Sequence, residues 1–223
     1  MSAGADAFVE ACRQQKLDFV VFVRHASSAP LHEGAATRAE QPHDWKVDDQ
    51  MRVLTPKGKD QCAKASWFRE LDIRAALTSP ARRASETAMR MTDRTETEEA
   101  KVGSVYLRMV AGVHPAGMSE VCEHLFENMG YGPLRTFFEA EGGQNAFQAY
   151  GDAVCAELAK AVPGGAGDGL AVFGHAVFLN AIAYEVACSA GASDDMKRTL
   201  LDMDLGETQG IRVALSGEVA KYP

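Results

Sequence analysis

No CxxC pair, no long apolar run and no surplus of basic charge occur in this chain of 223 residues, and each absence closes a class of function. The five cysteines stand at 12, 62, 122, 155 and 188. An odd number cannot pair off completely within one chain, and no spacing suggests a redox or zinc motif. They read as isolated buried thiols of a reducing compartment; a reactive thiol is the sharper alternative, which no other feature supports. No stretch approaches the roughly 20 apolar residues of a membrane-spanning helix. Residues 1–19 lack the basic start and apolar run of a signal peptide, so a cytoplasmic protein is expected. Lys and Arg total 23 against 31 Asp and Glu, a formal net charge of -8. Such a chain has no overall attraction for nucleic acid or an anionic membrane, and neither is expected as a partner. An anionic substrate would need positive charge gathered into a local pocket. Neither an internal repeat nor a low-complexity tract is present.

What the chain does have is a sequence of short apolar runs and helix starts. Phe19–Val23 and Leu170–Phe173 are continuous β-branched and aromatic stretches, suited to strands covered on both faces of a sheet. The first ends at Arg24-His25 and the second at Gly174-His175. Ala75–Thr78 reads as another short strand, and Gly210–Leu215 as a closing strand at an edge. Thr55-Pro56 before KGKDQCAKASWFREL, and Ser79-Pro80 before ARRASETAMRM, each place a hydroxyl cap ahead of a proline at the first helical position. Further helical patterns cover roughly 118–129 and 145–162, and another follows His175. Alternation of this kind predicts an α/β fold, a three-layer α/β/α sandwich on a mostly parallel sheet. One domain spanning 1–223 is expected, with a loop insertion at 26–51 and a helical insertion at 112–146. Loops as long as the first are usually functional in compact domains.

The candidate chemistry lies at the strand ends, where ligands bind in open α/β sheets. Arg24, His25, Arg83 and His175 would there converge as two guanidinium groups and two imidazoles, a compact cationic pocket in an acidic protein. A guanidinium fork matches phosphate oxygens in a bidentate manner that a lysine cannot reproduce.

The segments VFVRHA, RVLTPKGKDQC, LTSPARRASETA and VFGHA, in that order, resemble the histidine phosphatase superfamily, also called phosphoglycerate mutase-like. Asp49-x-x-Arg52-x-Leu54-Thr55-x-x-Gly58 and SPARRA are most similar to its SixA-like phosphohistidine phosphatase branch. The resemblance spans about 18–215 and departs from the pattern at Ala26, where the family usually has glycine, and in the two insertions. A positive φ at Ala26 would make that departure costly. The resemblance implies a metal-independent phosphatase without cofactor, acting on a phosphorylated small molecule or a phosphoprotein. It implies that His25 takes up the phosphoryl group, that Arg24 and Arg83 hold its oxygens, and that His175 donates to a third. Mutase-type transfer between hydroxyls of one substrate, and a silent phosphate-binding protein, are the alternatives.

A phosphate ester also needs a proton donor for its leaving group. Glu120 is the nearest positional candidate and His114 the alternative. Glu120 also has a bland reading, as a carboxylate favouring the dipole in the first turn of a helix. His32 and His43 have no defensible metal-ligand spacing and read as loop histidines. Arg82 reads as a helix-surface neighbour of Arg83, Trp45 and Trp67 as packing residues, and Asp48-Asp49 as a solvated or capping pair.

Overall fold

The computed structural model describes residues 2–30, 50–92, 106–109, 120–164 and 168–223. Its sheet contains β1 (Phe19–Arg24), β2 (Ile73–Thr78), β3 (Tyr106–Met109), β4 (Gly169–Gly174), β5 (Gly210–Ala214) and β6 (Val219–Tyr222), in the spatial order β3-β2-β4-β1-β5-β6. The pairs β3-β2, β2-β4 and β4-β1 are parallel, whereas β1-β5 and β5-β6 are antiparallel. The sheet is therefore mixed, which corrects the expectation of a mostly parallel one. The reason lies in the last segment, which folds into a hairpin through Gly217 at φ 95° instead of crossing over through another helix. The same hairpin corrects the placement of the closing strand. β5 is not at the edge, because β6 pairs with it from Gly210↔Tyr222 to Val213↔Val219.

Alternation along the central strands explains why their sequence is apolar throughout. In β1, Val20 and Phe22 join a core with Phe8 and Val9 of α1 (Ala3–Gln14), Phe147 and Val154 of α6 (Gly143–Ala159), and Phe178 and Ile182 of α7 (Phe178–Ser189). Phe19, Val21 and Val23 face the other way, toward Cys62 of α2 (Pro56–Lys64), Trp67 and Phe68, and Ala88 and Met91 of α3 (Arg82–Met91). Helices thus cover both faces of the sheet. Successive side chains of a strand point to opposite faces, so a strand buried on both must be apolar at every position. The remaining helices are α4 (Glu120–Met129), α5 (Leu134–Glu139) and α8 (Asp194–Asp202).

Two helix starts separate cleanly. Thr55 caps α2 as expected, its hydroxyl accepting the Gly58 N–H at 3.0 Å with Pro56 at the first position. The helix then stops at Ala65, and Ser66–Glu70 forms a 3₁₀ turn where an unbroken helix was expected. The break lets consecutive aromatics pack inward, with Trp67 stacked on Tyr222 at 4.8 Å and Phe68 against Phe173 at 5.6 Å. By contrast α3 begins at Arg82, not at Pro80. Ser79 accepts the Ala81 N–H at 3.1 Å, ahead of the helix, and its hydroxyl has a further partner in the site.

Helix α1 was not evident from the sequence. Its N-terminal amides are held by a distant carboxylate, Asp152, whose Oδ1 accepts from Gly4 N at 2.6 Å, Ala5 N at 3.1 Å and the Ser2 hydroxyl. The five cysteines are free thiols, four buried and Cys188 partly so. Burial pushes Cys12 up to about 12 and Cys62 to about 11, so neither presents a thiolate near neutrality. Among the described residues, no helix is long and apolar enough to cross a membrane.

Candidate active site

Parallel register places the candidate residues together. β1 and β4 are aligned so that Arg24 lies opposite Gly174, and the His25 N–H donates to the Gly174 carbonyl at 3.0 Å. On the other side of β4, the Ser79 N–H donates to the Phe173 carbonyl at 2.9 Å. The carboxyl ends of β1, β4 and β2 are thus neighbours, and His25, His175 and the start of α3 rise from one edge of the sheet. The two imidazole centroids are 5.2 Å apart at 62°.

Arg83 bridges them. Its Nε donates to His25 Nε2 at 3.2 Å, and its Nη2 lies 3.2 Å from His175 Nδ1. All three side chains are buried. His25 Nδ1 is 2.7 Å from the Ala26 carbonyl, an acceptor only, so the proton sits on Nδ1 and the lone pair on Nε2 faces the pocket. Ala26 is fixed in turn, its N–H donating to the Thr87 hydroxyl at 3.0 Å while that hydroxyl donates to the Arg83 carbonyl at 2.7 Å. Ala26 is not among the residues at positive φ. Its methyl group therefore carries no left-handed backbone strain.

The electrostatics favour a neutral His25 ring. Burial, followed by the charge of Arg83 and then those of Arg24 and Arg52, lowers the His25 pKa to about 3, against a smaller opposing effect of the Ala26 hydrogen bond. Desolvation and nearby positive charge both disfavour the imidazolium form.

Other candidates are placed differently. The Arg24 guanidinium donates through Nη1 to the Leu205 carbonyl at 2.7 Å and lies over the Tyr131 ring at 5.0 Å. It flanks His25 electrostatically without a direct bond to that ring among the described contacts. Arg82 is exposed and paired with Glu86 at 2.8 Å, a surface role. Glu120 is exposed at the first position of α4. His32, His43, Trp45, Asp48, Asp49 and His114 lie outside the described residues. No group of three or more His, Cys, Asp or Glu side chains among the described residues is arranged to hold a metal.

Two residues of the site escaped the sequence reading of roles. Ser79, read only as a helix cap, places its hydroxyl 3.0 Å from His175 Nε2. Arg52, noted only as part of a motif, donates to the Ala29 carbonyl at 2.6 Å and the Ser28 hydroxyl at 3.0 Å, and its charge is felt at His25. Its position in the RVLTPKG segment, beside a predicted helix start, was the available signal.

Two buried imidazoles spanned by one guanidinium, with further arginines nearby, form a pocket suited to a compact anion. A family model described as the histidine phosphatase superfamily (branch 1) matches residues 20–199. The chain belongs to that superfamily. No curated protein matches it. It is similar in fold to the protein histidine phosphatase SixA complexed with tungstate, at 16% identity and a TM-score of 0.45, covering 92% of this chain and 94% of that one. It is also similar to a phosphoserine phosphatase from Entamoeba histolytica, at 14% identity and a TM-score of 0.47, covering 87% and 89%. A mycobacterial glucosyl-3-phosphoglycerate phosphatase is similar at 13% identity and a TM-score of 0.49, covering 88% and 89%.

Proposed function

We propose that this chain is a phosphatase that hydrolyses a phosphomonoester or phosphohistidine through a covalent intermediate at His25. The observation that carries the proposal is the bridging of His25 Nε2 and His175 Nδ1 by one buried guanidinium. Membership of the histidine phosphatase superfamily supports it.

In the proposed first step, the lone pair on His25 Nε2 attacks phosphorus in line with the leaving group. An N–P bond forms, the P–O or P–N bond of the substrate breaks, and the leaving group departs with the bonding pair. The proton stays on Nδ1, which donates to the Ala26 carbonyl; that hydrogen bond orients the ring and stabilises the positive charge it acquires. Arg83 transfers its donors from the imidazoles to the non-bridging oxygens; Arg24 and His175 complete the shell. Donors preorganised toward charge in the transition state usually supply the largest catalytic effect. Water then attacks the phosphohistidine, releasing phosphate and restoring His25. Glu120 is the proposed proton donor to an alkoxide leaving group. Specificity is assigned to the insertions at 26–51 and 112–146 within one domain.

The test is hydrolysis of p-nitrophenyl phosphate, and of a phosphohistidine protein, in EDTA. His25→Ala should abolish turnover and the acid-labile phosphoenzyme seen on rapid quench. Undiminished turnover in that variant ends the mechanism, and inactivity of the native chain on phosphohistidine, aryl and sugar phosphates ends the assignment.

A further inference from the structure

We propose that anion binding at this site takes up one proton, at Nδ1 of His175, and that Ser79 is the positioning residue that lets the ring hold it. The inference rests on the phosphate-site reading above and adds to it the protonation state of the site and the residue that governs it.

Arg83 is a donor that cannot accept. A guanidinium has no lone pair available for hydrogen bonding, so at the 3.2 Å contact of Arg83 Nη2 with His175 Nδ1 the ring nitrogen must be the acceptor. The proton of the neutral ring is then on Nε2, directed at the Ser79 hydroxyl 3.0 Å away. Ser79 holds its oxygen in a fixed position. Its N–H is tied to the Phe173 carbonyl at 2.9 Å, and its Oγ accepts the Ala81 N–H at 3.1 Å. Ser79 is fully buried just after β2, and its oxygen is held within reach of the ring N–H, while its own O–H can still rotate.

This arrangement is not suited to a bound oxyanion. His175 presents a lone pair to the pocket, and an incoming phosphoryl oxygen is also an acceptor. The two repel unless Nδ1 gains a proton, either by uptake from solvent or by a shift of the ring proton from Nε2 with the Ser79 hydroxyl turning to donate there; the dianion's charge favours uptake. Without an anion that proton is opposed by burial and by the Arg83 N–H aimed at the same nitrogen, with the His25 ring 5.2 Å away. A bound dianion reverses the balance, because its charge offsets the cations already present. The imidazolium then donates through Nδ1 to the anion and through Nε2 to Ser79. A hydrogen bond from a charged donor is stronger than one between neutral groups, so Ser79 favours the protonated ring specifically. Proton and anion therefore bind as a pair. His25 starts from a pKa lowered to about 3 without the anion, and the His175→Asn variant separates the contributions of the two rings.

Sulfate is the probe, since phosphate can bring its own proton into the site whereas sulfate remains a dianion near neutrality. Calorimetric titration at one pH in two buffers of unlike ionisation enthalpy measures the protons exchanged. The wild type should take up about one proton per sulfate, with affinity falling about tenfold per pH unit between the ring's pKa values in the free and bound states. His175→Asn, whose amide donates without protonation, should bind sulfate with no uptake. Ser79→Ala should bring the pH above which affinity is lost down by about one to two units, the equivalent of a hydrogen bond to a charged group. Ser79→Thr, keeping the hydroxyl, should restore the native profile. Sulfate bound by the wild type without proton uptake overturns the inference and leaves the phosphate-site reading intact. Failure to bind sulfate, phosphate or tungstate at any pH overturns that reading itself. An unchanged pH profile in Ser79→Ala removes Ser79 from the role.

Discussion

Arg83→Lys isolates what the guanidinium contributes beyond its charge. Arg83 reaches His25 Nε2 and His175 Nδ1 at 3.2 Å each from two different nitrogens. A lysine keeps the positive charge but concentrates it on one ammonium, which cannot reproduce that planar pair of directions. In the proposed transition state the same two donors turn to two phosphoryl oxygens, so the substitution removes at least one aimed donor. Removing one preorganised donor costs about 2.7–4 kcal/mol, or roughly 10²–10³ in rate. The expected result is a fall of that size in kcat/KM for p-nitrophenyl phosphate, with circular dichroism and melting close to the native protein.

Arg83→Gln supplies the companion measurement, because it removes the charge as well. The Arg83 charge is the second largest cause, after burial, of the low His25 pKa. As the proposed nucleophile, His25 must be neutral, so activity should be lost as pH falls through its pKa. Without the charge that pKa rises, and the acid limb of kcat/KM moves to higher pH; with lysine it stays in place. Ionisation of the substrate is common to all three proteins and cancels in the comparison. An Arg83→Lys enzyme within about threefold of native kcat/KM, against the roughly 10² minimum expected, would refute the role given to the guanidinium fork. So would an acid limb that does not move in Arg83→Gln.

Thr87→Val removes the acceptor of the buried Ala26 N–H and the donor to the Arg83 carbonyl. It should destabilise the fold by about 1–3 kcal/mol in denaturant unfolding and lower kcat, since Ala26 carries the carbonyl that orients His25; native values of both would exclude the linkage. The low His25 pKa also has a stability consequence. The unfolded ring, with an ordinary value of 6.5 against about 3 when folded, binds more protons than the folded one between those limits. Stability contributed by neutral burial is present above pH 6.5 and is lost as pH falls toward 3. Between pH 7 and 5 the loss is about 2 kcal/mol. His25→Gln should flatten that part of the stability profile, and an equally steep fall in the variant would contradict the assignment.

The sequence was most informative where one local requirement determined the structure. The runs at 19–23 and 170–173 must be apolar throughout because both faces of the sheet are covered, and strands form there. Thr55-Pro56 is a local cap and behaves as one. Helices stand at 120–129 and 143–159, close to the patterned stretches. What escaped depends on partners distant in sequence. Helix α1 is closed at its start by Asp152, β6 is a short strand of partly exposed residues defined by pairing with β5, and the turn at Ser66–Glu70 exists because Trp67 and Phe68 reach Tyr222 and Phe173. Ser79 belongs to the same class. Its hydroxyl looks like a cap in the sequence, and only the adjacency of β2 and β4 brings it to His175.

The order β2-β4-β1 also explains why the site needs no local motif longer than two or three residues. β4 lies between the strands that deliver α3 and His25, so one register fixes all three contributions. The His25 N–H is held on Gly174 and the Ser79 N–H on Phe173. A slip of one residue in β1 would turn its side chains to the opposite faces and carry His25 away from Arg83. That slip is opposed by burial of Phe19, Val20, Val21, Phe22 and Val23, alternately against two different helical layers. The backbone positions of the two histidines are thus enforced by hydrophobic packing along the whole strand, and contacts within the pocket, from the Ala26 carbonyl and the Ser79 hydroxyl, orient the rings. Loops entering the site can then differ widely in length and composition while the distance between the two rings is kept.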